Sequence, residues 1–269
     1  MSRPPARAPL PPVPEGADES LLDPYVLRDV ASLTPPAAKE VRERLVAVAA
    51  LIDIDPAAAL GHARAARQRG SRLAVVREAA GVAAYRAGEY AEARTDLQAA
   101  RRMSGDASLL AVLADIERGL GRPQQALVVA ADAAASTLDP ATRAELALVV
   151  SGARRDLGQA DAAVLALSPW VEDDTVRPWS VRVWYGYAEA LVHAGRADEA
   201  RSWFEAAASI DVDDTTDAAA RAYQIEEVRS ANDFRPPMDA PSPTRTDAPS
   251  PTPTDAPPAA APDQPQWSG

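Results

Sequence analysis

Four short stretches decide the fold because they align with one another: Gly88-Glu-Tyr-Ala-Glu-Ala93, Gly121-Arg-Pro-Gln-Gln-Ala126, Gly158-Gln-Ala-Asp-Ala-Ala163 and Gly195-Arg-Ala-Asp-Glu-Ala200. Each opens on glycine and reaches alanine five residues later, and the glycines are 33, 37 and 37 residues apart. Each glycine closes one apolar run of helical period and is soon followed by another. That is where a helix ends through a left-handed residue, a conformation glycine adopts at little steric cost. Seven residues before each glycine stands a small residue, Gly81, Ala114, Ser151 or Ala188. Small residues on both sides of a crossing let two helices pack closely, and neither helix could bury its apolar stripe alone. The pattern predicts a row of helical hairpins with the glycines as elbows.

The flanks extend the row. Pro36 to Ile52 reads as a helix with Val41, Leu45, Val48 and Ile52 on one face, and Asp55-Pro56 opens a second helix to about Arg69. Together they predict a divergent leading repeat. Thr216 to Asn232 is more polar and suits a closing helix, giving about eleven helices in all. Proline marks both ends, with 7 in residues 1–24 and 11 in residues 236–265. Such segments bury too little surface to offset their ordering entropy. The expected organisation is an unfolded segment at 1–24, a helical stack at 25–231 and an unfolded Pro/Ala/Thr-rich tail at 232–269. The tail reads as a solubilising spacer or as a proline-motif ligand for a partner domain.

Composition agrees with an all-α chain. Of 269 residues 47% are hydrophobic and only 5% aromatic, so Leu, Val and Ala must supply the core. The absence of cysteine excludes disulfides, cysteine-based zinc sites and a cysteine nucleophile. No apolar targeting region opens the chain and no stretch reaches the roughly 18 apolar residues of a membrane span. The expectation is a cytoplasmic protein without membrane contact. Net charge is −11 and uneven: 6 basic and 9 acidic groups in residues 1–56, 9 and 5 in 57–106, 11 and 20 in 107–231, 2 and 5 thereafter. An acidic balance argues against phosphate-backbone binding as the main activity, while the positive second segment leaves room for a local basic patch.

From about residue 73 to 212 the chain resembles tetratricopeptide repeats (TPR). In the last repeat Trp184, Ala188, Leu191, Gly195, Ala200, Phe204 and Ala207 fall at that family's aromatic and small positions. It is also similar to small TPR proteins of unknown function from high-GC Gram-positive bacteria. The residues that carry this likeness are His62-Ala-Arg-Ala-Ala-Arg67, Ala99-Ala-Arg-Arg-Met103, Glu117-Arg-Gly-Leu-Gly-Arg-Pro123 and Gly152-Ala-Arg-Arg-Asp-Leu-Gly158. Two intervals exceed the repeat of about 34 residues by three. The surplus is expected in the turns at Leu138-Asp139-Pro140 and Glu172-Asp173-Asp174-Thr175. The resemblance implies an α-solenoid, a right-handed superhelix of hairpins whose first helices line a concave surface. Mapped residue by residue, it places Glu78, Val82, Tyr85, Asp115, Arg118, Gly152, Arg155, Tyr185, Glu189 and Val192 along that surface. This set lacks the lysine and asparagine clamp for a chaperone C-terminal carboxylate, which implies a different ligand.

No other constellation carries chemistry. His62 and His193 stand far apart and begin no metal-ligand pattern. Phosphate loops, dinucleotide fingerprints and nucleophile elbows are missing, so neither enzymatic activity nor a cofactor or metal is expected. The acidic runs Glu172-Asp173-Asp174 and Asp211-Val-Asp213-Asp214 read as caps and solvated turns. Trp170, Trp179, Trp184 and Trp203 crowd one repeat and read as its core, or as an anchor for a partner if a ring is exposed. The leading functional reading is a scaffold that binds an extended segment or helix of another protein in the groove, with Arg118 and Arg155 pairing its carboxylates. The alternative is an RNA- or ribosome-associated adaptor using the basic patch Arg64, Arg67, Arg69 and Arg72, with Arg77 beside it and Arg94, Arg101 and Arg102 nearby.

Overall fold

All four elbow glycines are left-handed, with φ of 77° at Gly88, 71° at Gly121, 70° at Gly158 and 73° at Gly195. The backbone around each closes the same pair of hydrogen bonds. At the first, the Gly88 amide donates to the Tyr85 carbonyl at 3.0 Å and the Glu89 amide to the Ala84 carbonyl at 2.8 Å. Gly121 and Arg122, Gly158 and Gln159, and Gly195 and Arg196 repeat it. This is the Schellman arrangement, which satisfies carbonyls that a helix end would leave without partners.

The computed structural model describes residues 12–173 and 175–233. Twelve α-helices lie among the described residues: α1 Pro24–Val30, α2 Pro35–Leu51, α3 Pro56–Gly70, α4 Ala74–Arg86, α5 Tyr90–Ser104, α6 Leu109–Gly119, α7 Pro123–Ala130, α8 Pro140–Asp156, α9 Ala160–Leu167, α10 Ser180–His193, α11 Ala197–Ile210 and α12 Ala218–Asp233. They form an α-solenoid of antiparallel hairpins, α2/α3, α4/α5, α6/α7, α8/α9 and α10/α11, followed by α12. Proline at the first turn of α1, α2, α3, α7 and α8 marks their starts, since that position needs no amide donor. Asp55 and Asp139 cap α3 and α8 by accepting backbone amides, Ala58 at 2.9 Å and Ala141 at 2.9 Å.

The N-terminal part departs from expectation. Within the segment expected to be unfolded, Glu19–Leu21 form a 3-10 turn capped by Asp18, and Glu19 accepts from Arg42 of α2 at 3.0 Å. The added helix α1 buries Val30 completely, and Leu22, Val26 and Leu33 pack with it against Val41 and Leu45. Proline dominates the composition there, but this handful of aliphatic side chains suffices to hold the turn and the helix onto α2. The remaining readings at 1–11 and 234–269 lie outside the described residues, and so does Asp174; α12 itself continues to Asp233.

The seam is as the sequence indicates. Ala93, Ala126, Ala163 and Ala200 are at most 1% exposed. Opposite them Gly81, Ala114, Ser151 and Ala188 are buried, and the Ser151 hydroxyl donates to the Ala163 carbonyl at 3.0 Å. At Gly81 an added Cβ would stand 2.5 Å from Leu97 Cγ and 3.0 Å from the Leu97 backbone nitrogen.

The surplus residues of the long intervals have a structural consequence. Helices α7 and α9 stop after 8 residues, whereas α5 runs for 15 and α11 for 14. The chain then makes 3-10 turns at Ala133–Thr137 and Ser168–Trp170. Leu138, 9% exposed, folds back onto Ala114 and Leu146 where α7 would have continued. The core is therefore thick around Trp184, Leu191 and Phe204 and thin at the third hairpin.

Two substitutions test this account. Gly81→Ala should overpack the seam and lower the unfolding free energy by about 1–3 kcal/mol. Gly158→Ala, with open space around it but φ of 70°, should cost about 1–2 kcal/mol from backbone strain alone. Urea denaturation followed by circular dichroism measures both, and a neutral Gly81→Ala would refute the close seam.

Candidate functional site

The first helices bring the groove residues together because positions three or four apart on one helix share a face, and successive first helices lie side by side from α6 to α8 to α10. The result is a ladder of polar contacts across hairpins. The Tyr85 hydroxyl of α4 donates to Asp115 Oδ2 of α6 at 2.5 Å. Arg118 Nη1 donates to Asp115 Oδ1 at 2.8 Å, and its Nε to Asp156 Oδ2 of α8 at 2.8 Å. The guanidinium reaches Asp156 by lying over Gly152, where a Cβ would come within 2.5 Å of Arg118 Cζ. Further along, Arg221 of α12 donates twice to Glu189 Oε1 of α10, at 2.9 and 2.6 Å, and the Tyr185 hydroxyl donates to Asp217 Oδ1 at 2.7 Å.

The two arginines expected to receive a partner's carboxylates therefore differ. Arg118 is already held between Asp115 and Asp156, which keep its charge stabilised against the opposing effect of burial. Arg155 is held by one long bond, Nη1 to Glu189 Oε2 at 3.5 Å, and its buried Nε has no hydrogen-bond partner among the described residues. Burial and the like charge of Arg118 both lower its pKa. Of the three guanidiniums in the ladder, that of Arg155 makes the fewest hydrogen bonds to carboxylates among the described residues. Val82 and Val192 are half-buried against the hydrophobic clusters. Glu78 is half-buried too, and burial followed by the charge of Asp106 raises its carboxyl pKa. The added helix α1 sets Tyr25 within electrostatic reach of Glu78.

The basic patch is internally matched. Arg64 donates to Glu92 of α5 from Nε and Nη2, at 3.0 and 2.5 Å. Arg67 pairs with Glu92 at 2.9 Å and with Asp96, and Arg77 reaches Asp96 at 2.7 Å. Asp96 is 0% exposed, a buried anion between two cations. Arg69 meets Glu40 at 2.9 Å, Arg94 meets Glu117 at 2.6 Å and Arg101 meets Asp132 at 2.9 Å. Arg72 alone of the proposed four is exposed with no ion pair among the described residues.

The remaining candidates are structural. Trp184 is 7% exposed and stacks edgewise on Trp203 at 5.9 Å; Trp170 and Trp179 do the same at 6.5 Å. His62 is fully buried beside Arg44, and exposed His193 contacts the Glu189 carbonyl. Asp211 caps the approach to α12 by accepting from the amides and hydroxyls of Thr215 and Thr216, which lower its pKa to about 2. Reasoning on the sequence missed Asp156, Asp217, Arg221, Glu92 and Asp96. The usable signal was opposite charge about one repeat apart, as in Arg64 with Glu92 and Arg118 with Asp156.

Two measurements follow from this geometry. Asp96→Asn leaves Arg67 and Arg77 without their shared buried anion and should cost about 3 kcal/mol in a urea denaturation series. A loss below about 0.5 kcal/mol would mean that both arginines relax into solvent. Burial, and then the bond to Asp217, push the Tyr185 phenol up to about 12. The folded chain thus holds this proton more tightly than the unfolded one, a contribution present below pH 10 and lost as pH rises towards 12. Tyr25, Tyr85 and Tyr223 are shifted upward too, so in a phenolate absorbance titration Tyr185→Phe should reduce the late component by one tyrosine.

Residues 154–222 match the tetratricopeptide repeat family model. No curated protein matches the chain. Among solved structures, the chain is similar to that of YrrB, described as a TPR protein with an unusual peptide-binding site. The similarity has 19% sequence identity and a TM-score of 0.46, and covers 70% of this chain and 93% of that one. The family match runs from the end of α8 into α12, and the hairpins before it repeat the same elbow and seam.

Proposed function

We propose that the protein is a non-enzymatic scaffold, acting in the cytoplasm, that binds a segment of another protein along the first-helix face, with Arg155 as the anchor for an acidic side chain of that segment. The observation that carries this reading is the contrast within the ladder: Arg118 has two carboxylate partners, while Arg155 has one long bond and a buried Nε without a partner among the described residues. An unsatisfied buried donor favours whatever supplies the missing acceptor. Tyr85 and Tyr185 present rigid rings at either side, fixed by Asp115 and Asp217, which limits the entropy lost on contact. No helix among the described residues is long and apolar enough to cross a membrane.

The alternative, an RNA- or ribosome-associated adaptor, has weaker support. Arg64, Arg67 and Arg69 would have to leave Glu92, Asp96 and Glu40 before they could displace counterions from a phosphate backbone.

The two readings separate in one comparison. Arg155→Ala should reduce recovery of partner protein from the native host about tenfold or more, as expected for loss of a charge-assisted bond, while helicity stays intact. Arg64→Ala with Arg72→Ala should leave recovery unchanged and should not alter binding to a single-stranded RNA probe across a salt titration. Unchanged partner recovery with Arg155→Ala would defeat the anchor assignment, and steeply salt-dependent RNA binding abolished by the Arg64/Arg72 pair would favour the adaptor.

A further inference from the structure

Helix α6 presents charge on two faces. Asp115 and Arg118 point along the groove, whereas Leu113 and Glu117, four residues apart, share the opposite face towards α5 and α7. There α7 stops at Ala130 while α5 continues through its last turn, and the uncovered space is a cavity of about 430 Å³. Leu113 and Val129 form its apolar wall; Gln98, Arg101, Arg102 and Glu117 supply the polar groups. The volume suits a small molecule.

Glu117 is only 2% exposed. Its Oε1 accepts from Arg94 Nε at 2.6 Å, but Oε2 accepts no hydrogen bond among the described residues, the Arg122 guanidinium standing off at 3.8 Å. A buried carboxylate oxygen in that position has unmet acceptor capacity. The guanidiniums around it are unequal. Arg101 is tied to Asp132 at 2.9 Å, whereas Arg102 at the rim is exposed and has no ion pair among the described residues. Among the side chains lining the cavity Arg101 and Arg102 outnumber Glu117, so the local field favours an anion.

We propose that this cavity is a second binding site, independent of the groove reading, for an apolar α-amino acid, either free or as the last residue of a peptide. Its carboxylate pairs with Arg102, its side chain lies on Leu113 and Val129, and its nitrogen donates to Glu117 Oε2. The ligand thus gives Arg102 an ion-pair partner and Glu117 Oε2 a donor at once, which neither an amine nor a simple carboxylate can do.

Isothermal titration calorimetry on the full chain tests this with L-leucine, N-acetyl-L-leucine and 3-methylbutylamine as probes. At least one of the two carboxylates should bind saturably, and the amine should not. Tighter binding of L-leucine identifies a free amino acid, and tighter binding of N-acetyl-L-leucine identifies a chain end. Arg102→Ala, at an exposed position, should weaken binding tenfold or more without changing the thermal midpoint, and Val129→Trp should block it by filling the cavity. Absence of saturation by either carboxylate at about 10 mM, or binding that survives both substitutions, would overturn the proposal.

Discussion

Close approach between small residues at each hairpin crossing is the constraint from which the rest of the molecule follows. Gly81 accepts Leu97 at a distance no Cβ would allow, and Ala114, Ser151 and Ala188 occupy the same place in the following hairpins. Tight crossings need helix ends that reverse within a few residues, and the left-handed glycines provide them with the same two backbone bonds each time. With the backbones held close, the first helices keep a common register. Side chains one repeat apart then meet tip to tip, and Tyr85 can find Asp115 and Arg118 can find Asp156.

Electrostatics in this chain is consequently a local matter. The formal charge of −11 and the basic surplus of residues 57–106 suggest large fields of opposite sign, but most arginines described above face a carboxylate of a neighbouring helix. Removing either partner of a buried pair is far costlier than the pair is worth, which explains how Asp96 sits at zero exposure between Arg67 and Arg77. Against that background an arginine with unused donors stands out. Among the described residues Arg155 has a buried Nε without a partner, and exposed Arg102 near the end of α5 has no ion pair.

Hairpins, elbows and seam were legible in the sequence because each depends on residues within a dozen positions of one another. Of the residues expected along the groove, Tyr85, Asp115 and Arg118 join in one set of contacts, Arg155 and Glu189 in a second, and Tyr185 bonds Asp217 in a third. What they touch was not legible. The second partner of Arg118, Asp156, lies 38 residues on, and the pairing depends on how far α7 runs and how the following turn is routed, which periodicity does not record. Helix α1 was obscured by surrounding prolines, because composition averages over the few aliphatic residues that pack. The burial of Glu117 has no local signal in the sequence, since it comes from α5 and α7 packing around it.

The cross-hairpin contacts also bear on how such an array can evolve. Tyr85 requires an acid at the place of Asp115, Arg118 one at the place of Asp156, and Glu189 bases at the places of Arg155 and Arg221. Each module therefore carries one half of a lock whose key is on the next. Recombination that duplicated, deleted or transposed a module would set mismatched charges against each other beneath the surface. The array is thereby keyed in order and number, unlike repeat proteins whose modules can be exchanged freely.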